Sequence, residues 1–201
     1  MSVDQYAVLA STRRFEGNVI SVRTDEVRMS DGTVATREIV EHPGAVGVVA
    51  LDDDDRIVLI NQYRHPVGGY LDELPAGLLD VPGEAALEAA RRELSEEAGI
   101  AASDWHVLVD LYTSPGMTDE AIRVFLARGL SDALERFAPQ HEEITLTVSR
   151  IPLDQAVRRA LSGEITNAAA VAGICAVALA RANGWRDLRP ADAPWSARPG
   201  L

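Results

Sequence analysis

The chain of 201 residues predicts an α+β fold in which a mixed β-sheet is sandwiched between helices, preceded by an antiparallel β segment. Segments rich in Val, Ile and Thr occupy the first third and the middle of the chain, a single helical segment at 84–98 interrupts them, and helical segments follow the last strand. Strands broken by one helix and finished by helices favour a sheet covered on both faces. A hydrophobic content of 47% is enough for the core of one domain.

The N-terminal third predicts the antiparallel segment. Residues 15–29 and 33–42 read as β, and Asp31-Gly32 between them is typical of a hairpin turn. We predict this β segment at 1–43 and a larger domain at 44–185. The residues at 186–201 are rich in Pro and Ala and are expected to form a flexible tail.

The elements of the larger domain follow in order. Strands are expected at 45–51, 56–62, 105–112, 121–127 and 144–151, and helices at 84–98, 153–161 and 167–183. The acidic run at 52–55 lies between the first two strands. Four carboxylates at the tip of a hairpin are more often a solvated turn than a metal site.

The helix at 84–98 carries its charges on one side only. Placing residues 100° apart brings Leu87, Ala90, Leu94 and Ala98 into one stripe that would dock on the core. Gly99 is well placed as a left-handed C-cap, so the helix is expected to end there.

Three glutamates cluster on the other side of this helix. Glu93 and Glu97 are one turn apart, Glu96 lies on the neighbouring flank, and Arg92 can pair with one of them. Like charges at this spacing repel, and a cation among them removes the repulsion. Hard oxygen ligands on a rigid element suit Mg²⁺ or Mn²⁺.

Net charge and hydropathy exclude several functions. A formal charge of −12 argues against a nucleic-acid partner, which requires clustered Lys and Arg. The N-terminus lacks the layout of a signal peptide, and the uncharged run at 168–180 is too short for a membrane span. We therefore expect a cytoplasmic protein with no membrane partner.

The segment Arg92-Glu-Leu-Ser-Glu-Glu-Ala-Gly-Ile100 matches the core of the Nudix box, the metal-binding motif of Nudix hydrolases. Over roughly 33–184 the chain resembles the ADP-ribose pyrophosphatase branch of that family, in its actinobacterial form. The motifs that carry this resemblance are Glu73-Leu-Pro-Ala-Gly77, Ser114-Pro115-Gly116, the strand at 57–64 and the segment at 163–167. One departure concerns Glu84, because six residues instead of the usual five separate it from Gly77.

The resemblance implies a metal site of two or three Mg²⁺ ions, with Mn²⁺ as a substitute. Its implied ligands are the carboxylates of Glu93, Glu96, Glu97 and Glu142 and the backbone carbonyl of Ala76. Glu93 and Glu97 are also implied in catalysis. The base that takes a proton from the attacking water is implied to be Glu142 or Glu143, and the offset from the strand predicted at 144 favours Glu142, leaving Glu143 as a supporting contact.

The resemblance also implies a substrate site and a partner. The implied substrate contacts are Arg37 and Arg64 at the diphosphate, Gly77, Leu78, Glu120 at the terminal ribose, and Pro115 as a marker of ADP-ribose specificity. Phe15 is a candidate for stacking on adenine. The partner would be a second copy of the chain, in a homodimer that exchanges the N-terminal β segment.

The reaction implied is Mg²⁺-dependent hydrolysis of ADP-ribose to AMP and ribose 5-phosphate. Two other enzymatic readings stay open, a broader nucleoside-diphosphate-sugar hydrolase and a sanitiser of oxidised nucleotides. A catalytically silent Nudix module that senses ADP-ribose is the alternative from a different class. Such modules usually lose carboxylates of the box, and Glu84, Glu93, Glu96 and Glu97 are all present here.

Overall fold

The computed structural model describes residues 6–134 and 145–197, which form eleven strands and three helices. The strands are β1 (Ala7–Glu16), β2 (Ser21–Arg28), β3 (Val34–Glu41), β4 (Ala45–Ala50), β5 (Arg56–Arg64), β6 (Gly69–Glu73), β7 (Ala76–Leu78), β8 (Ile100–Tyr112), β9 (Ala121–Asp132), β10 (Thr147–Pro152) and β11 (Arg189–Pro190). The helices are α1 (Ala86–Ala98), α2 (Leu153–Leu161) and α3 (Ala168–Ala182).

The main body is a mixed sheet between helices, as predicted. One sheet has the order β11-β8-β9-β4-β7, in which β4 runs parallel to β9, and a second sheet has the order β10-β5-β6. Alternation along β4 sends Val46 and Val48 into a core cluster that contains residues of α1, whereas Val49 joins a cluster with α2 and α3. The two sides of the sheet are therefore covered by different helices.

The N-terminal β segment is a separate antiparallel sheet with the order β1-β2-β3. The prediction of one strand at 15–29 was wrong, because a turn closed by the Gly17 N–H and the Ile20 carbonyl divides this stretch into β1 and β2. Gly17-Asn18 supplies residue types that favour turns. The sheet joins the main body where the Val40 N–H donates to the Met117 carbonyl and the Asp119 N–H to the Val40 carbonyl.

Two further differences concern short elements. Strands β6 and β7 were not predicted, since a strand of three to five residues between turns carries too little periodicity to be recognised. The strand expected from residue 144 begins at Thr147.

Both α2 and α3 match their predicted positions to within a residue, and Asn167 caps α3 by accepting a hydrogen bond from the Ala170 N–H at 2.9 Å. Within 6–134 and 145–197 no helix is long and apolar enough to cross a membrane.

The C-terminal segment, residues 186–197, was expected to be a flexible tail, and the described residues differ from that expectation. Strand β11 pairs with β8, and Trp195 is 8% exposed within the cluster that also contains Leu94 of α1. The composition predicted a tail because Pro and Ala are common in mobile termini. Composition alone does not show that one large aromatic side chain, Trp195, can be buried and hold the segment in place.

Arg123 of β9 is the residue that holds this segment. Its guanidinium donates to the carbonyls of Ala193 at 2.6 Å and Pro194 at 3.0 Å, and lies 4.9 Å from the centre of the Trp195 ring. Asp110 of β8 accepts from Arg123 at 2.8 Å. Burial acts to raise the pKa of Asp110, but hydrogen bonds from Arg123 and Arg189 outweigh it and hold that pKa below its usual range.

Replacement of Trp195 tests whether the C-terminal segment belongs to the fold. Trp195→Ala should lower the free energy of unfolding by about 3 kcal/mol, because it leaves a cavity beside α1 and removes the contact with Arg123. Urea denaturation followed by fluorescence and circular dichroism measures this change. Leu179→Ala, at a side chain that is 71% exposed, is the control and should change stability by less than about 0.5 kcal/mol. Equal stability of the two variants would mean that the segment does not pack in solution.

Candidate active site

The position of α1 brings the box glutamates to the edge of the sheet. Ala89, Ala90 and Leu94 are fully buried against β4 and its neighbours, so the opposite flank of the helix faces outward. Gly99 adopts the left-handed conformation with φ 65°, and its N–H donates to the Ser95 carbonyl at 3.0 Å. This confirms the predicted C-cap and ends the helix directly after its last glutamate.

Arg92 contacts three carboxylates on the outward side of α1. It forms a bidentate pair with Glu84, with both N–O distances at 3.1 Å, and its Nη1 contacts Glu93 at 2.6 Å and Glu96 at 3.1 Å. The hydrogen bond to Glu84 is the largest influence that raises the pKa of Arg92, with Glu93 adding to it against the effect of burial. Glu84 itself lies before the first residue of α1, so it acts through Arg92 and not as part of the helix.

Glu97 and Glu93 contact the strand that faces them. The Ala76 N–H of β7 donates to Glu97 at 2.8 Å. At the next residue, a Cβ placed on Gly77 would lie 1.9 Å from Oε1 of Glu93 and 2.0 Å from its carboxyl carbon. Only glycine therefore allows the Glu93 side chain to lie against the β7 backbone, which gives Gly77 a steric reason independent of its φ angle.

These residues fit a divalent cation by their chemistry. Glu93 and Glu96 share the Arg92 guanidinium, and Glu97 and Glu93 lie against the adjacent backbone positions Ala76 and Gly77. Such hard oxygen donors suit Mg²⁺ or Mn²⁺. In the conformation observed, no three His, Cys, Asp or Glu side chains of the described residues are arranged to hold a metal ion. Arg92 contacts carboxylate oxygens of Glu93 and Glu96, so a cation that binds here has to displace Arg92 from these oxygens.

A cleft of about 430 Å³ opens beside β7, within the range of about 300–1,000 Å³ usual for small-molecule sites. Its lining includes Arg64, Glu73, Ala76, Gly77, Leu78 and Glu120. Arg64 and Glu73 form a bidentate ion pair, at 3.0 Å through Nε and 2.7 Å through Nη2. The carboxylate of this pair is 3% exposed, whereas the guanidinium side is 42% exposed.

The other wall of the cleft carries Glu120 and His42. Thr113 donates its hydroxyl to Glu120, and the Nε2 atom of His42 lies 3.8 Å from the same carboxylate. The Gly44 N–H donates to Nδ1 of His42 at 3.1 Å, so a neutral His42 carries its proton on Nε2, facing Glu120. Sequence reasoning missed His42, because an isolated histidine at a strand end gives no signal of a site.

Three of the predicted substrate contacts, Arg37, Phe15 and Pro115, do not line this cleft within one chain. Arg37 contacts the Thr36 carbonyl and the Met29 sulfur and is exposed. It lies five residues before His42, or about 16 Å along an extended strand, beyond the reach of its side chain. Phe15 is 54% exposed, and Pro115 lies exposed in a turn after β8. Glu142 and Glu143 lie outside the described residues.

The acidic run at 52–55 is a turn, as the sequence favoured. Asp52 accepts from the backbone N–H groups of Asp54 at 3.0 Å and Arg56 at 2.9 Å. The Arg56 side chain pairs with Asp52 at 3.0 Å and with Asp54 at 2.8 Å. These carboxylates shape a hairpin tip and are balanced by arginine.

Comparison with known proteins shows consistent similarities. Residues 41–171 match the model of the NUDIX domain. The chain is 47% identical over 199 residues to the ADP-ribose pyrophosphatase of Mycobacterium tuberculosis, covering 99% of this chain and 95% of that protein. It is 38% identical over 160 residues to the ADP-ribose pyrophosphatase of Bacillus subtilis, covering 80% and 85%. A solved ADP compounds hydrolase superposes with a TM-score of 0.75 at 26% identity, covering 92% of this chain and 98% of that one.

Replacement of Gly77 tests the contact between β7 and α1. Gly77→Ala should displace the Glu93 carboxylate, because the new methyl group would overlap it, and should weaken Mg²⁺ binding by about tenfold or more. Isothermal titration with Mg²⁺ measures the change. Gly69→Ala is the matched control, since a Cβ at Gly69 meets no atom within 4 Å. Unchanged Mg²⁺ affinity in a folded Gly77→Ala protein would contradict a role of Glu93 at the metal.

Proposed function

The chain belongs to the Nudix family of hydrolases, and from this premise we propose that it hydrolyses the diphosphate of ADP-ribose to AMP and ribose 5-phosphate. The observation that carries the proposal is that Ala76 and Gly77, whose backbone contacts Glu97 and Glu93, line the same cleft as Arg64. Acidic metal ligands beside an arginine suit a substrate with two linked phosphates. The substrate is supported by the names of the relatives from M. tuberculosis and B. subtilis.

The reaction depends on divalent metal, as is general in this family. We propose Mg²⁺, with Mn²⁺ as a substitute, held by Glu93, Glu96, Glu97 and the carbonyl of Ala76. When bound, two or three such ions neutralise charge on the diphosphate and lower the pKa of a bound water. Gly77 contributes by leaving room for Glu93.

The remaining residues bind and orient the substrate. Arg64 presents a planar set of donors to the diphosphate, a geometry that suits phosphate oxygens. Glu120, at the opposite wall, is positioned by Thr113 and accepts hydrogen bonds from the terminal ribose hydroxyls. Glu142 accepts the proton of the water that attacks phosphorus, while the bond between phosphorus and the bridging oxygen breaks.

A homodimer completes the site. Arg37 is too far along β3 to reach its own cleft, so we propose that it contacts the diphosphate in the cleft of the partner. Val8, Leu9 and Phe15 of β1 are between 44% and 61% exposed, and a second copy that covers β1 would remove these apolar side chains from water. Phe15 would then lie near the adenine end of the partner's substrate.

The catalytic assignment is tested with variants of the box. Glu97→Gln should lower turnover of ADP-ribose by about 100-fold or more, because it removes a negatively charged metal ligand and keeps an oxygen for the Ala76 N–H. Release of AMP with Mg²⁺ is the measurement. Glu88→Gln on the same helix is the matched control, since this exposed residue pairs only with Arg91 among the described residues. Full activity in the folded Glu97→Gln protein would contradict the metal site.

The same assay separates the alternatives. We expect Glu142→Gln to lower turnover more than Glu143→Gln does. The value of kcat/KM should be highest for ADP-ribose in a panel of ADP-sugars, other nucleoside diphosphate sugars and oxidised nucleoside triphosphates. A flat profile across the diphosphate sugars would favour the broader hydrolase, and binding of ADP-ribose without release of AMP would favour the sensor.

Mixing two inactive variants tests the dimer. Chains with Arg37→Ala and chains with Glu97→Gln are unfolded and refolded together. In a mixed dimer one cleft then has both its own Glu97 and the partner's Arg37, so about a quarter of the normal activity should return in a statistical mixture. Arg64→Ala mixed with Glu97→Gln is the control and should regain none, because both residues act in one cleft. No recovery in the first mixture would contradict the exchange.

A further inference from the structure

Gln62 of β5 has a buried side chain whose carboxamide oxygen makes no hydrogen bond with the described residues. The residue is 7% exposed, and its Oε1 atom has no hydrogen-bond partner in the part of the chain that the structure describes. A buried polar atom without a partner costs about 1–3 kcal/mol. Such atoms are few in folded proteins, and this one lies next to Arg64 and Glu73, which line the cleft, so it calls for a functional explanation.

The register of the β5–β6 hairpin places Gln62 beneath the ion pair of the cleft. Gln62 is opposite Leu71, Arg64 is opposite Gly69, and Glu73 is opposite Ile60, so all these residues share one face. Arg64 lies two residues to one side of the Gln62 position and Glu73 two residues to the other, about 6.6 Å each way along the strands. The two charged side chains therefore meet over Gln62, which accounts for its burial.

The buried carboxylate of Glu73 makes it costly to break the ion pair with Arg64. Its carboxylate is 3% exposed, and Arg64 is its counter-ion among the described residues. A buried charge that loses its only counter-ion is strongly destabilised. If Arg64 turns toward a diphosphate in the cleft, the Glu73 carboxylate needs another donor within reach.

We propose that Gln62 is a positioning residue that allows Arg64 to move between Glu73 and the substrate. This inference rests on the proposed function. When the diphosphate binds, the carboxamide of Gln62 takes a place between the separating charges, with Oε1 accepting from the Arg64 guanidinium and Nε2 donating to Glu73. A carboxamide suits this position because it carries one acceptor and two donors and no charge of its own. An apolar side chain of the same size would leave Arg64 paired to Glu73.

The test compares Gln62→Leu with the wild type. Melting temperature should stay equal or rise, since the substitution removes an unsatisfied buried group. The KM for ADP-ribose should rise about tenfold with kcat within about twofold, because Arg64 binds the diphosphate less well before the chemical step. The Kd of the non-hydrolysable α,β-methylene analogue with Mg²⁺ should weaken by the same factor.

Asn61 provides the matched control on the opposite face of the same strand. Its Nδ2 donates to Asp72 at 2.8 Å, so Asn61→Leu should lower the melting temperature and leave KM unchanged. A second check uses Glu73→Gln, whose neutral side chain needs no counter-ion. In that background, Gln62→Leu should change KM by no more than about twofold, so the two substitutions should be coupled.

Several results would overturn the inference. Unchanged KM and Kd in folded Gln62→Leu protein, or equal effects of Gln62→Leu with and without Glu73→Gln, would each show that Gln62 does not act through this pair. A fall in melting temperature without a change in KM would assign Gln62 a structural role. If the wild-type protein neither hydrolyses ADP-ribose nor binds its analogue, the proposed function fails first, and that outcome is seen without any Gln62 variant.

Discussion

Negative charge is concentrated where α1 meets β7, and Arg92 makes that concentration compatible with folding. The side chains of Glu84, Glu93 and Glu96 are between 12% and 27% exposed, so water screens the repulsion between them only in part. One guanidinium contacts all of them and holds their oxygens in place. Because these contacts also occupy the oxygens that a cation would use, folding without metal and binding of metal depend on the same few atoms.

Strand β7 imposes a second constraint on the glutamates of α1. The absence of a side chain at Gly77 lets Glu93 lie against β7, and the Ala76 N–H aligns Glu97. The strand that orients the glutamates also lines the cleft that contains Arg64 and Glu73. The proposed metal ligands and the proposed diphosphate contact Arg64 are thus linked through the backbone of Ala76 and Gly77, so a small shift of β7 would affect both at once.

The predictability of the fold varied with the strength of the local signal. Helices α2 and α3, which follow β10, and the left-handed Gly99 were predicted from periodicity and capping, which are local properties. Strands β6 and β7 were missed because they are short, and β7 pairs with β4, which is distant from it in sequence. The C-terminal segment was misjudged because its order comes from Arg123, which lies about 70 residues earlier in the chain.

The candidate site divides in the same way. The amino-acid sequence was enough to place Glu93 and Glu97, two of the proposed metal ligands, together, because they are one helical turn apart whatever surrounds them. It also indicated Ala76, Gly77, Arg64 and Glu120 through resemblance. Three features could be seen only in the folded protein. Arg37 lies away from its own cleft, and His42 faces Glu120. The carboxamide oxygen of Gln62 has no hydrogen-bond partner among the described residues, beneath the pair of Arg64 and Glu73. These facts depend on strand register and on packing between segments distant in sequence, and neither is encoded in local spacing.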